Sequence, residues 1–133
     1  MQVEADAGHY REVEVQALAV AVFKDEKPTE EFLQELNSLA AGMVSSAIEA
    51  EELKGKEGET AYFHLLGPEG PKARRLLLVG VGVRDEYKAA QIARMAGTAA
   101  RSLRSKGIKS FAIVPRAGAI WTERDLPSAV IPH

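Results

Sequence analysis

His9, His64 and His133 are the side chains with the broadest chemical reach in this 133-residue chain. They are far apart in sequence, and none has a second ligand at the i, i+4 spacing of a helical metal pair. A catalytic metal centre usually needs three protein ligands and an open position. His64 stands between Phe63 and Leu65 and reads as a half-buried sheet histidine. His9 and His133 lie near the termini, where disorder is the first expectation. Cysteine is absent, which excludes a thiol nucleophile, a thiolate metal site and a disulfide framework. Ser45, Ser46, Ser102, Ser105 and Ser110 fall in helical or helix-end contexts, and no GxSxG elbow is present. Without a His–carboxylate pair, nucleophilic catalysis has no candidate trio. Glu49, Glu51 and Glu52 could meet a cation, but adjacent glutamates at a helix end read as a solvated face.

Two other groupings invite an anion. Gly80 and Gly82, in VGVGVRD, follow an apolar run and precede a helix, the order a phosphate cradle requires. The full GxGxxG is missing, because Asp85 stands where the third glycine belongs, and no GxxxxGK[ST] occurs. Asp85 and Glu86 would also repel phosphate at the helix mouth. A plain strand-to-helix turn is the expectation there. Arg94, Arg101 and Arg104 form a basic helix face, with Arg74, Arg75 and Lys109 near in sequence. Such residues suit a phosphate backbone or a subunit contact. No aromatic residue that could stack on bases lies on that face, so a solvated face or subunit contact is favoured.

The elements that must position these residues follow from periodicity. Val13 to Phe23 begins with alternation and becomes apolar on both sides, as a strand does on entering a sheet covered on both faces. A charged loop, Lys24 to Pro28, follows. Thr29 is a good N-cap, and Glu30 and Glu31 favour the first helical turn. Phe32, Leu33, Leu36, Leu39 and Ala40 share one face. Gly42 interrupts this helix or merely weakens it; Met43, Val44, Ala47 and Ile48 resume the stripe, so a helix is expected to run to about Glu52. Lys54 to Gly58 is a glycine-punctuated turn. Glu59 to Leu66 is a strand, with Ala61, Phe63 and Leu65 on one face and Tyr62, His64 and Leu66 on the other. Arg74 to Val81 is the most hydrophobic run and reads as a central strand, joined to the preceding one as an antiparallel hairpin.

Asp85 is expected to cap a long helix from Glu86 to Lys106, with Ile92, Met95, Ala96, Ala99 and Leu103 facing inward. Gly107 supplies a left-handed stop. Lys109 to Val114 is a further strand, ended by Pro115. A helix of this length between two apolar strands is a crossover, so those strands should be parallel. Beyond Gly118 the pattern fades, leaving Trp121 and Leu126 as the large apolar anchors. The sum is an α/β domain with a mixed sheet and flanking helices.

Length and composition agree. One domain fits 133 residues, 46% of them hydrophobic and 27% charged. No apolar run reaches the ~20 residues of a membrane helix. Met1 to Asp6 lacks the features of a signal peptide. The net charge of −2 conceals an asymmetry: residues 1–70 hold 5 Lys/Arg against 15 Asp/Glu, and residues 71–133 hold 12 against 4. That split reads as solvated faces on opposite sides of one domain, or as a surface for another subunit or nucleic acid.

One stretch carries a resemblance. Gly55-Lys56 with Gly58-Glu59-Thr60, then Leu76 to Gly82, then the alanine-rich QIARMAGTAARSLR with Gly97 and Arg101, resemble in order and spacing the N-terminal domain of the leucyl aminopeptidase family. The likeness runs from about Ala17 to Val114. It implies a macro-domain-like α/β unit, residues 1–133 as a single domain, and a peptidase whose chemistry lies in a separate C-terminal catalytic domain absent from this chain. There two divalent cations, Zn or Mn, polarise the scissile carbonyl and activate water. The family signature NTDAEGRL is not in these residues, so no catalytic, cofactor-binding or metal-binding residue carries over. The resemblance further implies a cytoplasmic enzyme assembled as a hexamer, with this domain serving subunit contacts, and some bacterial relatives bind DNA. The face of Arg94, Arg101 and Arg104 could serve either role. The alternative is a stand-alone macro-like module for ADP-ribose or a related nucleotide, although the paired asparagines and triple-glycine loop of macro domains are missing. Leu126 to His133 departs from the family's usual alanine- and glycine-rich continuation.

Overall fold

The computed structural model describes residues 10, 13–27, 30–39, 42–50, 53–65, 72–116 and 120–122. Thr29, His9, His133 and the tail from Leu126 to His133 lie outside them. The elements are β1 (Ala17–Val22), α1 (Glu31–Leu39), α2 (Met43–Glu49), β2 (Thr60–His64), β3 (Arg75–Gly80), α3 (Ala89–Ser105), β4 (Phe111–Val114) and a short β5 (Trp121–Thr122). They build one mixed sheet in the order β2-β3-β1-β4-β5. β1 runs parallel to both β3 and β4, while β2 and β5 are antiparallel edges.

The mixed α/β architecture and the hairpin of β2 on β3 match the expectation from sequence. β3 and β4 point the same way, as a crossover requires, but they are not neighbours. The first strand lies between them. The reason is its two-sided apolarity: every residue of β1 is buried. Leu18, Val20 and Val22 meet Leu33, Leu36, Val44 and Ala47 of α1 and α2. Ala17, Ala19 and Ala21 meet Met95, Ala96, Ala99 and Leu103 of α3 on the other face. Small side chains on both sides of that second contact let helix and sheet approach closely.

Two boundaries differ from expectation and one matches it. Gly42 takes φ 84° and splits the first helix in two. The Asn37 side-chain oxygen then accepts the Ser45 amide at 2.9 Å, satisfying a donor at the start of α2. Asp85 does not cap α3. It lies in a 3-10 turn, Arg84–Glu86, and the helix begins three residues later. The Gln91 side chain accepts the Lys88 amide at 2.9 Å and supplies the cap instead. Gly107, at φ 77°, does end α3, with its amide on Arg104 O and that of Ile108 on Leu103 O.

His64 is exposed on the β2 edge, not half-buried. Edge position explains it, since no strand or helix covers that end of β2 among the described residues. Its ring meets Tyr62 edge-on at 5.5 Å.

Candidate functional site

The three arginines expected to form a basic face do not line one site. Arg94, Arg101 and Arg104 are all exposed on α3. Arg94 and Arg101 reach a cleft of about 520 Å³, with Gly58, Gly80, Gly97 and Thr98 among its lining. Arg94 is already paired across it with Glu57 at 2.8 Å. Arg104 lies apart, in a hollow of about 290 Å³ with Gly107, Ile108 and Lys109. Arg74 and Arg75 belong to the amino end of β3, where α3 finishes. α3 carries no acidic residue and α1 and α2 carry no basic one, and these helices pack on opposite faces of the sheet.

The Gly80–Gly82 turn holds no open phosphate cradle. Its amides are taken by backbone carbonyls: Gly80 donates to Glu59 O at 2.7 Å, Val81 to Val22 O at 3.0 Å and Gly82 to Gly55 O at 2.8 Å. The glycines answer to close approach. A Cβ on Gly80 would stand 2.1 Å from Lys56 O, and one on Gly55 would stand 2.6 Å from Phe23 O. The Glu59 carboxylate accepts the amides of Lys54 at 2.7 Å and Lys56 at 3.1 Å. The Gly-Lys and Gly-Glu-Thr segments that carried the resemblance therefore form a clasp over the ends of β1 and β3.

The structure also assembles a cluster that periodicity missed. Glu26 follows β1 and Arg116 follows β4, and both lie in short charged turns that a sequence reading assigns to solvent. Yet the Glu26 side chain is fully buried and that of Arg116 is 12% exposed. The Arg116 fork donates to both Glu26 oxygens at 2.5 Å, and the Phe23 amide adds a bond at 3.2 Å. Arg116 also donates to Ala21 O at 3.1 Å. Its guanidinium sits 4.0 Å from the Phe32 ring centre and 5.1 Å from that of Phe23. Arg84 stacks on Phe23 at 5.1 Å and approaches Glu26 at 3.9 Å, while pairing with Glu30. The Lys27 amide, and then Arg84, hold the Glu30 carboxyl below the usual carboxylate range. Arg116 adopts φ 66°, left-handed for a residue with a Cβ, which costs about 1–2 kcal/mol. A signal existed in the paired charges just past two apolar strands, but only the strand order shows that they meet.

Tyr87 packs edge-on against Phe23 at 5.1 Å and donates its hydroxyl to Pro115 O at 2.7 Å. Burial pushes its hydroxyl up to about 12, against a small opposing pull from Arg116. An unfolded tyrosine ionises near 10. The stability tied to neutral Tyr87 is therefore complete below pH 10 and is lost as pH rises from 10 towards 12. A phenolate titration at 295 nm is expected to show a late tyrosine in the native protein that Tyr87→Phe removes. Ionisation of every tyrosine near pH 10 with the fold intact would contradict this.

A sequence model described as "Cytosol aminopeptidase family, N-terminal domain" matches residues 19–125. The probable cytosol aminopeptidase of Geobacter sp. (strain M21) is 32% identical over 112 residues, which is 84% of this chain and 22% of that relative. That of Solibacter usitatus (strain Ellin6076) is 31% identical over 114 residues, 86% of this chain and 21% of the relative. This chain thus spans about a fifth of the length of these relatives. Among solved structures, a tomato leucine aminopeptidase mutant aligns with TM-score 0.60 and 24% identity, over 76% of this chain and 20% of that one. The macrodomain of Mycobacterium tuberculosis DarG aligns with TM-score 0.58 and 16% identity, over 81% and 72%. These two likenesses establish the fold, an α/β unit of macro-domain type. With the clasp residues and most of the chain inside the matched span, the chain belongs to the cytosol aminopeptidase family, by its N-terminal domain.

Proposed function

We propose that residues 1–133 form a single non-catalytic domain serving assembly and positioning in a cytoplasmic leucyl aminopeptidase. The parent's C-terminal catalytic domain would release N-terminal amino acids with two divalent cations, Zn or Mn, within a hexamer. The observation that carries this reading is a family match over residues 19–125 in a chain about a fifth as long as its relatives. Among the described residues no three His, Asp or Glu side chains converge to hold a cation, so these residues do not fit a dinuclear centre. No helix of the described residues is long and apolar enough to cross a membrane.

Incubated with an aminoacyl amide and Mn²⁺ or Zn²⁺, the 133 residues are expected to give background rates only. Metal-dependent turnover by this chain alone would overturn the proposal. In this reading the α3 face is a subunit surface. Arg101→Glu with Arg104→Glu, introduced into the parent enzyme, is expected to lower its mass in light scattering while its circular dichroism is unchanged. A role in DNA binding predicts instead retention of the wild-type chain on DNA at low salt, falling steeply as salt rises. Calorimetry with ADP-ribose tests the nucleotide reading. The engaged amides of Gly80, Val81 and Gly82 speak against saturable binding at that turn.

A further inference from the structure

The chain leaves β1 towards β2 and β3, and leaves β4 in the opposite direction towards β5. The carboxyl ends of β1 and β4 therefore flank a topological switch point, the place where open α/β sheets hold ligands. In this protein that place is filled from within. Three donors converge on one carboxylate, the two ends of the Arg116 fork and the Phe23 amide, and the charge of Arg84, itself bonded to Glu30, stands 3.9 Å from Glu26. The Phe23 and Phe32 rings wall the Arg116 guanidinium.

We infer that Arg116, Arg84 and the Phe23 amide form an oxyanion-binding site that the chain's own Glu26 occupies and keeps closed. The argument rests on what holds Arg116. Its bond to Ala21 O and its two ring contacts do not involve Glu26. The fork is thus held ready for a planar acid group whether or not Glu26 is there, and such preorganisation is what makes a recognition site bind. Left-handed backbone at Arg116 places strain at the same point, as functional sites commonly do. Carboxylates suit the site best, because the fork matches their two oxygens, and phosphate oxygens share that chemistry. The wild-type chain accordingly rejects external oxyanions at this crevice, and Glu26 is the residue that decides it. This inference is independent of the assembly proposal.

The test is chemical rescue of Glu26→Ala, read as thermal midpoint in sodium formate, in sodium phosphate and in sodium chloride of equal ionic strength. In 100 mM formate the variant is expected to melt about 4 °C higher than in chloride. A smaller gain is expected in phosphate. The wild type and the double variant Glu26→Ala with Arg116→Gln should not respond. If Glu26→Ala does not fold in chloride, Glu26→Ser, which leaves a hydroxyl near the Phe23 amide, is measured in its place. Failure of both variants to gain structure in formate would overturn the inference. So would equal effects of formate and chloride, a wild type that responds as strongly, or rescue that survives loss of Arg116.

Discussion

Gly80→Ala is expected to destabilise the domain by about 3 kcal/mol or more, at the upper end of what overpacking costs. The added methyl would lie 2.1 Å from Lys56 O and 2.8 Å from the Gly55 carbonyl carbon, and both are backbone atoms. They cannot turn aside as a side chain would, because the clasp ties them down. Gly58 donates to Gly80 O at 3.0 Å, Gly82 donates to Gly55 O at 2.8 Å, and Glu59 gathers the amides of Lys54 and Lys56. Gly58→Ala is the matched control. Its φ is 92°, but nothing stands within 4 Å of the new methyl. Only the left-handed backbone is penalised there, by about 1–2 kcal/mol. Urea unfolding of both variants compares the two effects. If Gly80→Ala loses no more stability than Gly58→Ala, the clasp yields easily and is not what makes Gly80 a glycine.

Glu26→Ala and Arg116→Met are each expected to cost about 3–5 kcal/mol, the range for removing one partner of a buried ion pair. The Glu26 side chain is fully buried and that of Arg116 nearly so. Either change leaves a charge, or a set of donors, facing ring carbons. Glu26→Leu combined with Arg116→Met should cost far less than the sum, since desolvation of both charges is then removed together. Denaturant unfolding of the two singles and the double closes the cycle. High salt should change the wild-type stability little through this pair, because buried charges are poorly screened. A loss below about 1 kcal/mol for either single would place the pair with exposed surface bridges and sink this account.

The exposed pairs offer the contrast. Lys72 with Glu14, at 3.3 Å, and Arg94 with Glu57, at 2.8 Å, have both partners in contact with water. Neutralising either is worth little, in the range of about 0–1 kcal/mol.

Much of the architecture was legible in residue order. The two-sided apolarity of Ala17 to Val22 marked a covered strand, and the inward stripe of Met95, Ala96, Ala99 and Leu103 marked the helix that covers it. Gly107 marked the end of that helix. The boundaries that slipped were local competitions. Gly42 went to a left-handed turn, and Gln91 supplied the cap that Asp85 was expected to give. Arg94, Arg101 and Arg104 were legible as one exposed helix face, because helical spacing alone places them. Their division between two hollows was not, since the walls come from Glu57, Gly58 and Lys109.

By itself, the sequence determined the types of the long elements, the parity of the faces of the strands it read and the family, because these depend on spacing along one chain and on local backbone preference. The tertiary structure alone decided that β1 takes the centre between β3 and β4, and that Glu26 meets Arg116 across 90 residues. It also decided that Gly80 is crowded by Lys56. Those facts depend on which surfaces are covered when the sheet closes, and desolvation, unlike periodicity, is a property of the neighbours a residue acquires only on folding.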